Sequence, residues 1–387
     1  MTDEPFSPGL EGVIATDTQI SFLDVDHERI VVRGYDLIEL AGAVHYADVA
    51  FLLIHGALPG PGKQAMFANA LGDGAVLPDG MRDLLLRLPP QTHPMDALRT
   101  GLSALAGSED PARLDDTSHG ANVTKGVRIL AAAPTIVAES YRAARRLPPA
   151  EPEHDLSVPA RLLRMIPGAA TDLEAIATLD RVLTCYAEHE LANSTLAARV
   201  VASSLGDIYG AVAAATAALK GPLHGGANEE AARMFAAIHE HEGDPAEAAE
   251  AFVLDRLAAG ERVMGFGHRV YMHRADPRAE LLLGDLLALA ARRPDAEAYV
   301  AAYERALEVM QGEKGLYPNA DLPIGLILYL LDIPIELFTP IFLCARAAGL
   351  VAHVIEQHDH NRIYRPRVLY EGPFDLHPPD DFVPSPL

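Results

Sequence analysis

The sequence predicts a mainly α-helical protein with one small β-hairpin near its N-terminus. From Tyr35 onward, apolar residues recur at helical spacing in one segment after another, and clusters of glycine and proline separate these segments. Only residues 14–33 alternate weakly between apolar and polar positions, around a turn at residues 24–27. A chain of 387 residues is long enough for two domains, or for one large helical domain with a smaller one attached.

The predicted helices follow one another with short breaks. Residues 59–62, with the sequence PGPG, separate the first two, and Pro134 is expected to kink the long fifth helix. Thr339 and Pro340 predict the N-cap and the first residue of the last helix. The predicted helices span residues 47–55, 65–71, 81–88, 94–105, 123–147, 160–165, 172–189, 193–219, 227–241, 245–259, 279–291, 296–310, 323–331 and the segment that begins at 340.

Residues 193–219 are rich in alanine, serine and glycine. Small side chains let helices pack closely together. The segment therefore fits either an interface between subunits or an interior helix of one subunit, and composition alone leaves both alternatives open.

Charge and composition exclude several classes of function. The net charge of -23 argues against a nucleic-acid-binding surface, which should be basic, and against binding to an anionic membrane. Cys185 and Cys344 have no CxxC spacing, so a disulfide scaffold or a zinc ribbon is not expected. Residues 338–355 are almost wholly apolar, but Arg346 near their middle predicts a buried helix rather than a membrane span. Residues 1–8 lack the apolar core of a signal peptide, and we expect a cytoplasmic protein.

Three breaker-rich segments carry the raw material of acid–base chemistry. They contribute two histidines, His224 and His268, and one carboxylate, Asp321. A single glycine–histidine pair is more often an ordinary loop than a site, whereas three such segments together favour a site. The segments are GPLHGGAN at residues 221–228, GFGHRVY at 265–271 and YPNAD at 317–321.

Arg346 is the most informative charged residue. A guanidinium inside an apolar helix needs a carboxylate, which either the protein or a ligand can supply. Arg278, Arg365 and Arg367 are further candidates for a carboxylate clamp, because the planar guanidinium binds carboxylates bidentately.

Histidines elsewhere do not predict a metal site. His239 and His241 are two residues apart, so they point to different faces of a helix. His353 and His360 share a face with Gln357, but no matching set of carboxylates accompanies them. His189 can be read either as a ligand-binding residue or as an ordinary residue at a helix end.

Taken together, the motifs resemble those of the citrate synthase family. Their order and spacing agree over roughly residues 9–375. The matching stretches are GLEGV at 9–13, RGYD at 33–36, THPMD at 92–96, EHE at 188–190, GPLHGG at 221–226, GFGHRVY at 265–271, DPR at 276–278, YPN at 317–319 with Asp321, and residues 361–367.

This resemblance implies a two-domain helical subunit in a homodimer. Residues 1–225 and 332–387 would form the large domain, and residues 226–331 the small domain that closes over the active site. The implied reaction is the tricarboxylic acid cycle condensation of acetyl-CoA with oxaloacetate, followed by hydrolysis of the citryl thioester. Acetyl-CoA would be a substrate, and no cofactor or metal is expected.

The resemblance also implies roles for single residues. Asp321 would remove a proton from the acetyl methyl group, His224 would stabilise the enol oxygen, and His268 would polarise the oxaloacetate carbonyl. Oxaloacetate would be held by His189, Asn193, Arg278, Arg346 and the partner subunit's Arg365. Coenzyme A would be contacted by Arg269, Arg274, Lys314 and Asn319.

Several positions depart from the family pattern. Tyr186 stands where many members have a histidine, and Met272 replaces a usual basic residue. One extra residue lies between His268 and Arg278. Residues 322–325, which follow Asp321, differ from the commoner family sequence and bear on the choice of acyl group. The alternatives are a 2-methylcitrate synthase that uses propionyl-CoA and a non-catalytic binding protein on the same scaffold.

Overall fold

The computed structural model describes residues 6–241, 243–268, 270–379 and 382. These residues form a mainly helical protein with one small antiparallel sheet, which confirms the predicted fold class. The strands are β1 (Ser21–Asp24), β2 (Arg29–Val32) and β3 (Tyr35–Asp36). The helices are α1 (Leu37–Ala43), α2 (Tyr46–His55), α3 (Pro61–Asp73), α4 (Met81–Arg87), α5 (Pro94–Ala106), α6 (Pro111–Leu114), α7 (His119–Ala144), α8 (Val158–Met165), α9 (Leu173–Tyr186), α10 (Asn193–Ser203), α11 (Ile208–Leu219), α12 (Ala227–His239), α13 (Pro245–Ala258), α14 (Pro277–Ala290), α15 (Ala296–Lys314), α16 (Asp321–Leu330) and α17 (Phe338–Asp359).

The predicted hairpin is present as β1 and β2. Their antiparallel register places Ser21 opposite Val32 and Asp24 opposite Arg29. A two-residue strand, β3, adds to β2 and was not predicted. It leads directly into α1, because the Asp36 carboxylate at its end accepts hydrogen bonds from the first backbone amides of that helix.

Helix α17 runs through the middle of the fold. It packs against α2, α7, α9, α10 and α11, and Arg346 in its centre is only 2% exposed. By length and composition the segment Ile335–Asp359 could cross a membrane, but its most apolar window is entirely buried inside the protein. The prediction of a buried helix is therefore confirmed.

The predicted start of this helix is wrong. Helix α17 begins at Phe338, directly after a short 3₁₀ turn, and Leu337 occupies the N-cap position. Thr339 instead lies inside the first turn, where its amide donates to Glu229 and its hydroxyl donates to the carbonyl of Gly225. Its hydroxyl thus joins α17 to the loop before α12 rather than capping its own helix.

The small-residue segment 193–219 forms two helices rather than one. The break lies at Leu205, whose φ of 61° ends α10, and Asp207 caps α11 by accepting from the amide of Gly210. Helices α10 and α11 pack on each other, and Ala198, Ala202 and other alanines are fully buried within this chain. The burial of these alanines favours the interior alternative.

Helices α12 to α16 pack mainly against one another. They reach the rest of the fold through α12 on α17 and through α14 on α9 and α1. This group lies within the predicted small domain at residues 226–331, and its closure over the site stays a prediction. The predicted turn at 317–321 ends in a helix, since Asp321 is the first residue of α16.

Candidate active site

Two of the three predicted loops are joined to each other by backbone hydrogen bonds. The amide of Gly267 donates to the carbonyl of Tyr317 at 2.8 Å, and the amide of Asn319 donates to the carbonyl of Gly265 at 2.9 Å. The Asn319 side chain adds two more bonds, donating to the carbonyl of Gly267 and accepting from the amide of Asp321. These four hydrogen bonds fix the His268 loop against the start of α16. Asn319, predicted to contact coenzyme A, uses its side chain to join the loops.

His268 is held in one tautomer. Its Nδ1 accepts a hydrogen bond from the backbone amide of Val270 at 3.0 Å, so the ring proton lies on Nε2. Burial and, to a smaller extent, the positive charge of Arg278 lower the pKa of His268 to about 4. The ring lies 4.6 Å from Tyr271 and 5.2 Å from His189, measured between centroids. His268 is therefore a neutral imidazole whose Nε2–H can donate to a ligand.

His224 is held in the opposite tautomer. Its Nε2 accepts from the backbone amide of Ser194 at 3.4 Å and lies 2.8 Å from the Ser194 hydroxyl, which places the ring proton on Nδ1. Burial lowers the pKa of His224 to about 4, and Arg346 adds to the effect. The site thus contains two neutral imidazoles, each with one N–H that no protein acceptor takes up among the described residues.

Asp321 is a half-buried carboxylate in contact with Tyr186. The Tyr186 hydroxyl donates to Oδ1 of Asp321 at 2.5 Å, and the side-chain Nδ2 of Asn228 donates to the same hydroxyl at 3.4 Å. Burial raises the pKa of Asp321 above its ordinary value, although the Tyr186 hydrogen bond and the charge of Arg278 act in the opposite direction. A carboxylate with a raised pKa is a stronger base than an ordinary aspartate.

Tyr186 also links Asp321 to the His224 side of the site. Its ring stacks on Phe342 at 4.1 Å, and Phe342 meets the His224 ring edge-on at 6.5 Å. The guanidinium of Arg346 lies 5.0 Å from the centre of the same Phe342 ring. The Tyr186–Phe342 pair therefore forms a wall that the Asp321 carboxylate, the His224 imidazole and the Arg346 guanidinium all approach.

The two predicted clamp arginines differ in their partners. Arg278 makes a buried bidentate pair with Asp276, with Nε to Oδ1 at 3.0 Å and an Nη to Oδ2 at 2.7 Å. Arg346 donates from Nε to the carbonyl of Tyr186 at 2.7 Å and forms no ion pair with any carboxylate in the described part of the chain. Burial lowers the pKa of Arg346 to about 10. Its remaining donors fit a carboxylate supplied by a ligand.

His189 lies next to His268, with their ring centroids 5.2 Å apart. Its Nε2 is 3.4 Å from the Tyr271 hydroxyl. Burial lowers its pKa well below the ordinary value, with further contributions from Arg278, His268 and Arg346. His189 therefore joins His268 and the two arginines in one electrostatic environment.

The other predicted contact residues lie around this cluster. Asn193 is exposed at the start of α10, next to Ser194. Arg274 forms an ion pair with Glu28 in the β1–β2 turn, at 2.6 Å. Lys314 is exposed as the last residue of α15, and Arg269 lies outside the described residues.

Arg365 is not brought into the cluster by its own chain. It is exposed in the C-terminal segment, donates to the carbonyl of Pro366, and lines a separate cavity of about 790 Å³. The approach of Arg365 to the oxaloacetate residues, expected from the partner subunit, stays a prediction.

Sequence reasoning missed several members of the site. Tyr186 was noted only as a departure, and neither Phe342 nor Ser194 was selected. Phe342 could have been found, because it precedes Arg346 by four residues and so shares its helix face. The bond from Ser194 to His224 joins residues thirty positions apart and has no local signal.

Comparison with known proteins agrees with this geometry. The family model described as citrate synthase, C-terminal domain, matches residues 9–367. A citrate synthase from Heyndrickxia coagulans is 44% identical over 96% of this chain and 97% of its own length. A citrate/2-methylcitrate synthase from Bacillus subtilis is 44% identical over 95% and 97%. The ternary complex of carboxymethyl coenzyme A and oxaloacetate with citrate synthase from Thermoplasma acidophilum superposes with a TM-score of 0.89, at 28% identity, covering 98% of this chain and 99% of that one. The chain belongs to the citrate synthase family of acyltransferases.

Proposed function

We propose that this protein condenses acetyl-CoA with oxaloacetate and hydrolyses the resulting citryl thioester to citrate and CoA. The single observation that carries the proposal is the pair of fixed, neutral imidazoles with opposite tautomers beside a half-buried carboxylate of raised pKa. Enolisation of a thioester needs a base and an N–H donor to the same substrate. A second N–H donor then polarises the carbonyl that is attacked.

The proposed reaction begins with proton transfer to Asp321 from the acetyl methyl group. The Nδ1–H of His224 donates to the thioester oxygen, where negative charge develops. One such donor contributes about 3–4 kcal/mol to stabilising a developing oxyanion. The enol carbon then attacks the oxaloacetate carbonyl, and the Nε2–H of His268 protonates the new alkoxide. The proton taken up by Asp321 returns to the His268 imidazole through solvent, which restores both groups. Water finally attacks the citryl thioester, and the thiolate leaves as CoA after taking a proton.

Oxaloacetate brings two carboxylates into a site that holds two arginines. Arg346 has guanidinium donors free for one of them, whereas Arg278 already shares its charge with Asp276. We propose that His189 and Asn193 complete the oxaloacetate contacts. Arginine clamps of this kind fix the orientation of the substrate before reaction, and this orientation accelerates the reaction more than binding alone would. The chemistry requires no metal or cofactor beyond the acyl-CoA substrate.

Coenzyme A carries phosphates, and this chain is strongly acidic overall, so its cations must act locally. We propose Lys314, Arg269 and Arg274 as the phosphate contacts, and Asn319, which bonds the Gly267 carbonyl, as a further coenzyme A contact. Lys314 has no ion-pair partner within the described residues and is free to serve. Arg274 would have to leave Glu28 to contribute.

The proposed assembly is a homodimer in the cytoplasm. The segment after α17 exposes several large apolar side chains, which a second copy of the chain could cover: Ile363, Val368, Leu369, Tyr370, Phe374 and Leu376. In such a dimer the partner subunit's Arg365 would reach oxaloacetate. Two buried cysteines without a disulfide fit a reducing compartment.

A second candidate activity is the condensation of propionyl-CoA with oxaloacetate to 2-methylcitrate. It is favoured by the Bacillus subtilis relative, whose name covers both activities, and by residues 322–325, which follow Asp321 and depart from the commoner family sequence. The discriminating experiment follows thiol release with oxaloacetate and each acyl-CoA. We expect the higher kcat/KM with acetyl-CoA. A clear preference for propionyl-CoA would reverse the assignment, and no thiol release with either acyl-CoA and any 2-oxo acid would favour a non-catalytic binding protein.

A further inference from the structure

The backbone on both sides of His189 is fixed from two directions. The preceding residue, Glu188, is a fully buried carboxylate, and the following residue, Glu190, has a φ of 54° that a non-glycine residue rarely adopts. The imidazole between them bonds its own backbone, and among the described side chains it contacts the Tyr271 hydroxyl at 3.4 Å. Its direction is therefore set mainly by the flanking backbone rather than by contacts of the ring.

The first set of restraints comes from strand β1. The Ser21 hydroxyl donates to Oε1 of Glu188 at 2.8 Å and accepts from the amide of Glu190 at 3.2 Å. The amide of Leu23 donates to Oε2 of Glu190 at 2.9 Å. One serine thus bridges the residues before and after His189, because a hydroxyl can donate and accept at once.

The second set comes from helix α17. His353 lies 3.1 Å from Oε1 of Glu188, and the amide of Gly349 donates to the carbonyl of Ala187 at 3.2 Å. A Cβ added at Gly349 would lie 1.9 Å from Oε2 of Glu188. Only glycine at this position lets the helix approach the Glu188 carboxylate so closely.

The orientation of His353 is fixed by Arg199. The Nε of Arg199 approaches Nδ1 of His353 at 3.0 Å, and an arginine nitrogen can only donate. Nδ1 must therefore accept, so the ring is neutral and its Nε2–H points at Glu188. Arg199 is in turn paired with Glu356 and bonded to Gln357. A directed chain of donors runs from Arg199 through His353 to Glu188.

We propose that Glu188, held by Ser21 and His353, is a positioning residue for the oxaloacetate contact of His189. The inference rests on the proposed function, since it assumes that His189 binds this substrate. Ser21 and His353 act through Glu188 and touch no substrate themselves. In this proposal strand β1 of the small N-terminal sheet contributes to oxaloacetate binding, because its Ser21 holds the residues on both sides of His189.

A purely electrostatic role for Glu188 gives the opposite expectation. Glu188 lies close enough to Arg346 for the two charges to interact. If it acted only as a counter-charge, removing its influence would strengthen the attraction of Arg346 for a dicarboxylate and lower the KM for oxaloacetate. If Glu188 positions His189, removing a hydrogen bond that holds Glu188 raises the KM for oxaloacetate.

The experiment compares Ser21→Ala with Ser140→Ala in the full-length enzyme. Ser140 is also buried, but its hydroxyl donates only to Val137 in its own helix, so it is the matched control. We expect Ser21→Ala to raise the KM for oxaloacetate about three- to tenfold, the effect of one hydrogen bond, and to leave the KM for the acyl-CoA unchanged. Ser140→Ala should change neither KM.

A second pair of variants tests the α17 side. His353→Phe keeps a ring but removes the donor to Glu188, and we expect a larger rise in the oxaloacetate KM, about tenfold or more. His353→Gln retains both an acceptor and a donor, as the fixed tautomer does, and should recover most of the loss. Calorimetric titration with oxaloacetate checks that each KM change is a change in binding.

Several results would overturn the proposal. They are a lowered oxaloacetate KM in Ser21→Ala or His353→Phe, equal rises in both substrate KM values, and reduced thermal stability with unchanged KM values. If the wild-type enzyme releases thiol but the variants behave in one of these ways, only the positioning role fails. If the wild-type enzyme releases no thiol with either acyl-CoA, the proposed function itself fails, and this inference fails with it.

Discussion

The hydroxyl of Tyr186 donates a 2.5 Å hydrogen bond to Oδ1 of Asp321, the group we assign as the base. A hydrogen bond to the ionised form of a carboxyl lowers its pKa, whereas burial raises it. Burial prevails, so the pKa of Asp321 lies above its ordinary value. The Tyr186 hydroxyl therefore limits how far the pKa of Asp321 is raised. The Tyr186 ring also stacks on Phe342, whose ring the Arg346 guanidinium approaches.

Replacing Tyr186 by phenylalanine should raise the pKa of Asp321 further. The ring and its stacking on Phe342 are kept, and only the donor to the carboxylate is lost. Hydrogen bonds to charged groups contribute about 1.5–3 kcal/mol, which corresponds to about one to two pH units. The acid limb of the kcat/KM profile should move to higher pH by that amount. An unmoved acid limb in Tyr186→Phe would show that the hydroxyl does not influence the base.

The low pKa values of His224 and His268 predict a dependence of stability on pH. Both are about 4 in the folded protein, below the 6.5 of an unfolded chain. As pH falls from 6.5 towards 4, the unfolded chain takes up these protons and the folded protein does not, so stability is lost in this window. Each histidine contributes up to about 3 kcal/mol.

Chemical denaturation at a series of pH values measures this loss. His268→Asn should flatten the decline between pH 6.5 and 4, because asparagine does not titrate. The wild-type protein, measured in the same buffers, provides the reference slope. An undiminished slope in His268→Asn would contradict the assignment of a partly buried, neutral imidazole.

The buried pair of Arg278 and Asp276 predicts a large effect of breaking it. Asp276→Asn leaves the Arg278 charge buried without its carboxylate, and removing one partner of a buried pair costs about 3–5 kcal/mol. Glu250→Gln breaks the more exposed pair with Arg305 and should cost less than about 1 kcal/mol. Urea unfolding of both variants compares the two. Equal losses would mean that Arg278 finds another partner or water when Asp276 is neutralised.

The partner contribution of Arg365 can be tested by mixing two inactive variants. Asp321→Asn lacks the base and Arg365→Ala lacks the arginine, and each homodimer should be inactive or nearly so. A mixed dimer contains one site with both residues intact only if Arg365 acts across the interface. Random pairing then restores about a quarter of the wild-type activity. Absence of recovery in mixtures shown by native mass spectrometry to contain mixed dimers would place Arg365 in the site of its own chain or outside any site.

The sequence was sufficient for the elements and for the chemistry-bearing loops. Helical spacing located most helices to within a few residues, and alternation located the β1–β2 hairpin. Local rules failed where tertiary contacts decide. Thr339 had the sequence of an N-cap, but its hydroxyl is used by the Gly225 carbonyl. Leu205 interrupts a run of helix-forming residues because its backbone is left-handed. The composition of the flanking residues does not predict this conformation.

Within the site, the sequence identified which residues matter better than it identified how they are held. Asp321 looked like a turn residue and is the half-buried first residue of α16. The tautomers of His224 and His268 depend on amides of Ser194 and Val270, one of them distant in sequence. His353 was weighed only as a metal ligand, because its bonds to Glu188 and Arg199 span more than 150 positions. Such pairings arise from the packing of α17, which no local pattern encodes.

The central claim is that Asp321 removes a proton from the acyl methyl group beside two neutral imidazoles. Thiol release from acetyl-CoA in the presence of oxaloacetate tests it most directly. The wild-type protein and Asp321→Asn are compared at a temperature at which thermal unfolding curves show both to be folded. The account predicts rapid release by the wild type and a loss of about a thousandfold or more in Asp321→Asn, the magnitude expected when a general base is removed. Turnover retained within tenfold in a folded Asp321→Asn protein would contradict it.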